Sequence, residues 1–167
     1  MPRRYRRRRY YPLRSLKTTK YSNETQATAV SSTFVAGQTY RCTFTPGSNV
    51  LGTRKVKNFT LSIISSATVP FYFAIVFVPE GTTASSMQFG NTIDAQGVLT
   101  SHSLYEPNQN VILSGIFGGG ANQVYRFKSR LARNLNSNDT IQMVLCPIQN
   151  VSAAQIVMAS LNYALAF

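Results

Sequence analysis

The first fourteen residues, MPRRYRRRRYYPLR, combine two residue types that bind nucleic acid in different ways. Seven of them are arginines and none is acidic. The planar guanidinium group of arginine presents a fork of N–H donors that matches phosphate oxygens, whereas lysine acts more as a point charge. Tyr5, Tyr10 and Tyr11 are interleaved with the arginines and offer flat faces on which unpaired bases stack. The chemistry indicated is non-covalent binding of a polyanion, without readout of base sequence.

Residues suited to catalysis are few and isolated in the rest of the chain. His102 is the only histidine, and no nucleophile, base and orienting acid can be arranged around it. The five carboxylates occur singly, which favours neither a metal site nor an acid–base pair. Gly115 and Gly118 to Gly120 are not followed by Lys-Ser/Thr, so we interpret them as a turn and not as a phosphate loop. We therefore predict no enzymatic activity, no metal and no cofactor.

Positive charge divides the chain into two parts. Nine of the 17 basic residues lie in residues 1–20, where no acid occurs, which leaves eight basic and five acidic residues in 21–167, a net charge of +3. These 13 charged residues are about 9% of the remaining 147, against about 25% in a typical soluble domain. We predict a disordered basic N-terminal arm, residues 1–20, and a nearly neutral domain, residues 21–167, much of whose surface contacts other subunits.

Residues 21–167 have the pattern of β-structure along most of their length. β-Branched and aromatic residues recur between turn signals, and apolar residues often alternate with polar ones. The predicted strands are residues 25–34, 39–45, 55–63, 69–78, 110–117, 123–131, 140–146 and 155–167. Residues 80–109 interrupt this pattern, and we expect a long excursion there with a short helical turn near 84–89. The pattern indicates an all-β fold, a single eight-stranded antiparallel jelly-roll sandwich.

Alternation also predicts which side chains share a face. In residues 55–63, a strict period of two places Lys55 and Lys57 on the face of Phe59. Residues 69–78 are apolar on both faces, which predicts a core on one face and a subunit contact or a second layer on the other. The last strand carries one apolar stripe, formed by Val157, Ala159, Leu161, Tyr163, Leu165 and Phe167.

Cys42 and Cys146 lack CxxC spacing, so we predict buried thiols and no disulfide framework. The longest apolar run, residues 69–79, is too short to cross a membrane as a helix. We therefore expect no membrane insertion.

A second, weaker basic feature lies in QVYRFKSRLAR, residues 123–133. Strand alternation places three cations on one face and Tyr125, Phe127 and Leu131 on the other, so that one strand contacts phosphate or another subunit while anchoring the core. Ordinary solvated charges remain the alternative. A smaller cluster is formed by Arg54, Lys55 and Lys57. The candidate nucleic-acid-binding residues are Arg3, Arg4, Arg6, Arg7, Arg8, Arg9, Arg14, Lys17, Lys20, Arg126, Lys128 and Arg130.

The arm sequence PRRYRRRRYYP resembles the N-terminal arm of capsid proteins from circoviruses and related small circular single-stranded DNA viruses. Residues 54–83, interpreted as two long strands ending in a Gly-Thr-Thr loop, are similar in pattern to the single jelly-roll capsid of the satellite tobacco necrosis virus type. The resemblance implies a subunit of a T=1 icosahedral shell of about sixty copies. It also implies an arm that packages a single-stranded genome, DNA in preference to RNA, and a virion location after assembly in the host nucleus, with the nuclear import machinery as a partner.

Two other functions remain open from the sequence. A cellular nucleic-acid-binding protein, ribosomal or chromatin-like and acting as a monomer or dimer, would explain the arm but would normally carry a more charged body. A glycan-binding β-sandwich of the lectin type would explain the neutral polar surface but not the arginines. For the arm itself, a purely solvated tail or a nuclear import signal is the alternative, and import and genome packaging are not exclusive.

Overall fold

The computed structural model describes residues 21–45, 52–82, 110–120 and 123–166. Within these ranges the only regular elements are eight strands, which confirms the predicted all-β class. The strands are β1 Tyr21–Ser32, β2 Tyr40–Thr45, β3 Arg54–Ser65, β4 Phe71–Val78, β5 Asn110–Phe117, β6 Val124–Leu135, β7 Thr140–Pro147 and β8 Gln155–Ala166. The predicted arm and the predicted helical turn near 84–89 lie outside the described residues.

The strand pairs are nested along the chain: the first strand pairs with the last, and each following pair lies inside the previous one. β1 pairs with β8, β2 with β7, β3 with β6 and β4 with β5, all antiparallel. Pairing of β3 with β8 and of β4 with β7 completes two four-stranded sheets. The first sheet has the order β1-β8-β3-β6 and the second sheet the order β2-β7-β4-β5. This is the predicted jelly roll, in which two four-stranded sheets enclose the core.

The core between the sheets is rich in aromatic rings. Phe73 of the second sheet meets Phe127 of the first with ring centroids 4.5 Å apart. Such pairs contribute about 0.5–1.5 kcal/mol beyond the burial of their surface. Every second residue of β8 from Val157 to Leu165 is buried here, as the stripe predicted. Its last predicted member, Phe167, lies outside the described residues.

Strand β4 is buried on both faces within a single chain. One set of its alternating side chains lies in the core between the sheets. The other set joins β7 on the opposite face of the second sheet in an apolar cluster formed by Ala74, Val76, Val78, Val144 and Cys146. Each of these five side chains is at most 5% exposed. The burial of these side chains therefore does not depend on a subunit contact.

Strand β3 contains a β-bulge that overturns the strict alternation predicted for it. The register with both neighbouring strands shifts around Asn58, whose φ of 56° is left-handed. Phe59 faces the core after the bulge, but before it the core residue is Val56, and Lys55 and Lys57 face outward. The prediction that both lysines share the face of Phe59 is therefore wrong, because one extra residue reverses the phase of a period-two pattern.

The glycines after β5 pack tightly against the connection between β3 and β4. Gly118 to Gly120 lie in the connection from β5 to β6, as the turn interpretation predicted, and the N–H of Gly120 donates to the carbonyl oxygen of Ala67 at 3.0 Å. Gly115 was expected in the same turn but lies inside β5. A Cβ atom there would come within 3.0 Å of the Phe73 ring, so this glycine makes room for the core.

A buried carboxylate fastens the β6–β7 turn to the end of β4. Asp139 is 3% exposed, and its two oxygens accept the N–H of Glu80 at 3.0 Å and the N–H of Asn136 at 2.6 Å. Asn138, with a φ of 64°, donates its side-chain amide to Glu80 at 2.7 Å. The carboxylate therefore satisfies backbone donors from two separate segments.

Replacing this carboxylate is expected to destabilise the fold. Asp139→Ala leaves two backbone N–H groups without acceptors, and we expect a loss of about 1–3 kcal/mol in the free energy of unfolding. Asp139→Asn keeps one acceptor oxygen and should lose less. Urea unfolding followed by circular dichroism measures both. Equal midpoints for wild type and Asp139→Ala would contradict the role assigned to the carboxylate.

Candidate nucleic-acid interface

The outward face of the first sheet consists of five rows of side chains that cross β1, β8, β3 and β6. Directly opposed residues of neighbouring antiparallel strands point to the same side, so the register defines each row. In strand order, the rows are Ala29-Met158-Ile64-Val124, Ala27-Ser160-Ser62-Arg126, Thr25-Asn162-Thr60-Lys128, Asn23-Ala164-Lys57-Ala132 and Tyr21-Ala166-Lys55-Asn134. The face changes from an apolar row at one end to rows that contain cations at the other.

Four cations and no carboxylate lie in these rows. Arg126 and Lys128, both predicted from the sequence, are exposed on the edge strand β6. Lys55 and Lys57 join them from β3, although the alternation in the sequence had placed both lysines on the face of Phe59. Because no acid within the rows pairs with these cations, the face is electrostatically complementary to a polyanion.

The third predicted cation of β6 occupies a less regular position. Arg130 is exposed and lies with Leu131 where the register shifts opposite Asn58. Tyr125 and Phe127 pack against the core as predicted, but Leu131 is 45% exposed. The prediction that Leu131 shares their buried face is therefore wrong. The register shift leaves Arg130 and Leu131 outside the regular cross-strand pairing, where the core does not cover them.

The predicted arm, residues 1–20, is connected through Tyr21 to the basic end of this same face. Tyr21 directly follows the arm, begins β1 and lies in the row of Lys55. The Nζ atom of Lys57 lies 3.6 Å from the centroid of the Tyr21 ring, a cation–π contact across the small alanines of β8. The predicted arm cations, Arg3, Arg4, Arg6, Arg7, Arg8, Arg9, Arg14, Lys17 and Lys20, lie outside the described residues.

Arg54 does not belong to this face, although the sequence grouped it with Lys55 and Lys57. It pairs with the buried Leu135 and lies near the end of the core. Burial raises the pKa of the Tyr163 hydroxyl, which donates to Glu24 at 3.0 Å, and the charge of Arg54 partly offsets that rise. Arg54 therefore acts on a polar cluster between the sheets and is removed from the candidate interface.

Burial affects the two cysteine thiols, both of which lie among the described residues. Burial raises the pKa of the Cys42 thiol to about 11 and also raises that of Cys146, so both thiols are protonated and weakly nucleophilic near neutral pH. Cys146 is buried as predicted, whereas Cys42 is only partly buried. No three His, Cys, Asp or Glu side chains of the described ranges come together as a metal site. No helix in those ranges is long and apolar enough to span a membrane.

Similarity to known proteins is found at the level of three-dimensional structure. No protein-family model and no curated protein matches the chain. A chain from infectious bursal disease virus, Gx strain, aligns with 89% of this chain and 32% of its own length, with a TM-score of 0.43. A chain from the full particle of Israeli acute paralysis virus aligns with 99% of this chain and 83% of its own, with a TM-score of 0.35. A chain from Desmodium yellow mottle tymovirus aligns with 92% of this chain and 92% of its own length, with a TM-score of 0.32.

Each of the three chains is 11% identical to this one. The chain spans about a third of the length of the infectious bursal disease virus chain. At this identity and these TM-scores, the likenesses carry no conclusion about function.

Proposed function

We propose that this protein is the coat protein of a small virus. Copies of residues 21–167 tile into a closed icosahedral shell, and residues 1–20 of each copy bind a single-stranded genome inside it. The observation that carries the proposal is the junction at Tyr21, where the arm meets a sheet face with four cations and no acid. Because the arm is attached at Tyr21, on the edge of this face, one polyanion can bind both.

Self-assembly is supported by the low charge of the domain and by apolar side chains that are exposed outside the five rows. Val35, Ile116 and Leu131 are 41%, 53% and 45% exposed. Charged residues are depleted at the centres of protein interfaces, and exposed apolar residues are typical of them. We assign these three positions to contacts between copies.

The charge of the chain suits a small genome. About sixty copies at +12 each bring roughly 720 positive charges against one negative charge per nucleotide. That number partly neutralises a genome on the order of a thousand nucleotides or more. From the resemblance of the arm to circovirus arms, we further propose that the genome is DNA and that the chain enters the host nucleus for assembly.

Particle formation tests the proposal. About sixty copies of an 18.5 kDa chain form a particle of about 1.1 MDa, so the purified full-length chain should elute as a megadalton species in size-exclusion chromatography. Negative-stain microscopy should show uniform spheres. A monomer or dimer at every salt concentration, with or without added nucleic acid, would contradict the proposal and favour a cellular nucleic-acid-binding protein.

A further inference from the structure

One feature of the outward face of the first sheet is not explained by its charge. The row Ala29-Met158-Ile64-Val124 is apolar from one edge of the sheet to the other. Met158, Ile64 and Val124 are 51%, 36% and 54% exposed, and Ile156, further along β8, is 46% exposed. Large apolar side chains that form a continuous exposed patch indicate a contact surface.

A groove lies beside this apolar row on the outward face of the first sheet. The next row begins with the small residues Ala27, Ser160 and Ser62, and an open groove of about 460 Å³ lies over them. Met158 and Ile64 line one side of the groove. Its volume falls within the range of about 300–1,000 Å³ typical of small-molecule sites, so a planar heterocycle fits against the two apolar side chains.

Cations border the groove along β6. Arg126 is the β6 member of the row that contains the small residues, and Lys128 is the β6 member of the neighbouring row. Their Cα atoms are two residues apart on one strand, about 6.6–6.8 Å, which is comparable with the separation of successive phosphates along an extended single strand. The groove thus has an apolar wall, and cations lie next to it on β6. This arrangement complements a polymer that carries charge along its backbone and flat bases on its other side.

We infer that this groove binds one segment of single-stranded nucleic acid, with phosphates on Arg126 and Lys128 and unpaired bases on Met158 and Ile64. This inference rests on the proposed function and adds a base-contacting site on the domain itself. Duplex nucleic acid is bound more weakly in the groove, because its bases are stacked and their faces are inaccessible. The site therefore selects unpaired strands without reading their sequence.

Charge argues against two protein occupants of the groove, a second copy of the domain and the arm. A second copy packed face to face would bring together two faces that each carry four cations and no acid in their rows. The arm carries nine basic residues and no acid, so it is repelled by the same rows. Nucleic acid is the occupant that satisfies both the apolar row and the cations.

The test compares two oligonucleotides of equal length and charge, one of thymidines and one of abasic sugar-phosphates. Full-length wild type should prefer the thymidine oligomer. In Ile64→Ser/Met158→Ser, which changes exposed positions, the preference should fall by about fivefold or more, while affinity for the abasic oligomer stays unchanged. Ile64→Leu/Met158→Leu keeps two large apolar side chains at the same exposed positions, should retain the preference and serves as the matched control.

The outcomes separate this inference from the proposed function. If wild type binds neither oligomer at low salt, the proposed function itself fails. If wild type binds both and Ile64→Ser/Met158→Ser keeps the full preference, the bases contact the arm instead and only this inference is overturned. If that variant binds normally but no longer assembles, the groove is a subunit interface and the inference is again overturned.

A second measurement needs no variant. Wild type irradiated with an iodouracil-containing oligomer should form crosslinks in the peptides that contain Ile64 or Met158, identified by mass spectrometry. Crosslinks confined to residues 1–20 would overturn the inference.

Discussion

A chain that lacks residues 2–14 is expected to lose nucleic-acid packaging while its domain still folds. The deletion removes seven arginines but leaves the first strand pair, Tyr21 with Ala166, untouched. Each phosphate contact contributes about −0.7 to the slope of log affinity against log salt for a single strand, so the slope should become shallower by up to about 5. Ultraviolet absorbance of purified particles measures packaging, and filter binding across a salt series measures the slope.

Two full-length variants serve as controls for this deletion. Replacing the seven arginines by glutamine keeps the length of the arm and should reproduce the deletion. Replacing them by lysine keeps the charge and should retain most of the salt slope, with weaker affinity because lysine lacks the planar fork of donors. If the truncated chain packages as much nucleic acid as the full chain, the arm is not the genome-binding element.

Gly119→Ala is expected to give the largest loss of stability from a single methyl group. A Cβ atom at Gly119 would lie 1.9 Å from the backbone carbon of Thr68 and 2.0 Å from its oxygen. The β5–β6 connection must then move away from the β3–β4 connection, which breaks the hydrogen bond from Gly120 to Ala67. We expect a loss of about 3 kcal/mol in the free energy of unfolding, a large part of the stability of a typical domain.

Gly118→Ala is the matched control. The nearest atom to a Cβ there is the Tyr125 hydroxyl at 3.0 Å, the far end of a side chain that can move. Thermal unfolding of both full-length variants compares them under one condition. Similar melting temperatures for the two variants would show that the connections are not packed as tightly as the structure indicates.

Much of the fold could be predicted because its strands are long and their patterns strong. The apolar stripe of β8 and the doubly apolar β4 follow from side-chain periodicity, which depends only on local backbone geometry. It was less predictable which face of the sheet each side chain of a strand occupies. Asn58 looks like any polar residue in an alternating strand, and only the pairing of β3 with its neighbours reveals the bulge there.

The groove was not predicted, although one signal for it was present. Ile156 and Met158 are large apolar residues in the outward phase of β8, where polar residues are the rule for a solvated face. Alone, each is an ordinary exposed side chain. They form an apolar surface only together with Ile64 and Val124, which lie on β3 and β6.

The sequence by itself determined that positive charge is concentrated in residues 1–20 and that residues 21–167 are nearly neutral and β-forming, because charge and side-chain periodicity are local properties of the chain. Only the tertiary structure decided which distant residues meet on one surface. The bulge at Asn58 turns Lys55 and Lys57 outward to join Arg126 and Lys128. Antiparallel pairing also aligns the four members of the apolar row from four different strands. Register between strands is a long-range property, set by how the two sheets close around their shared core.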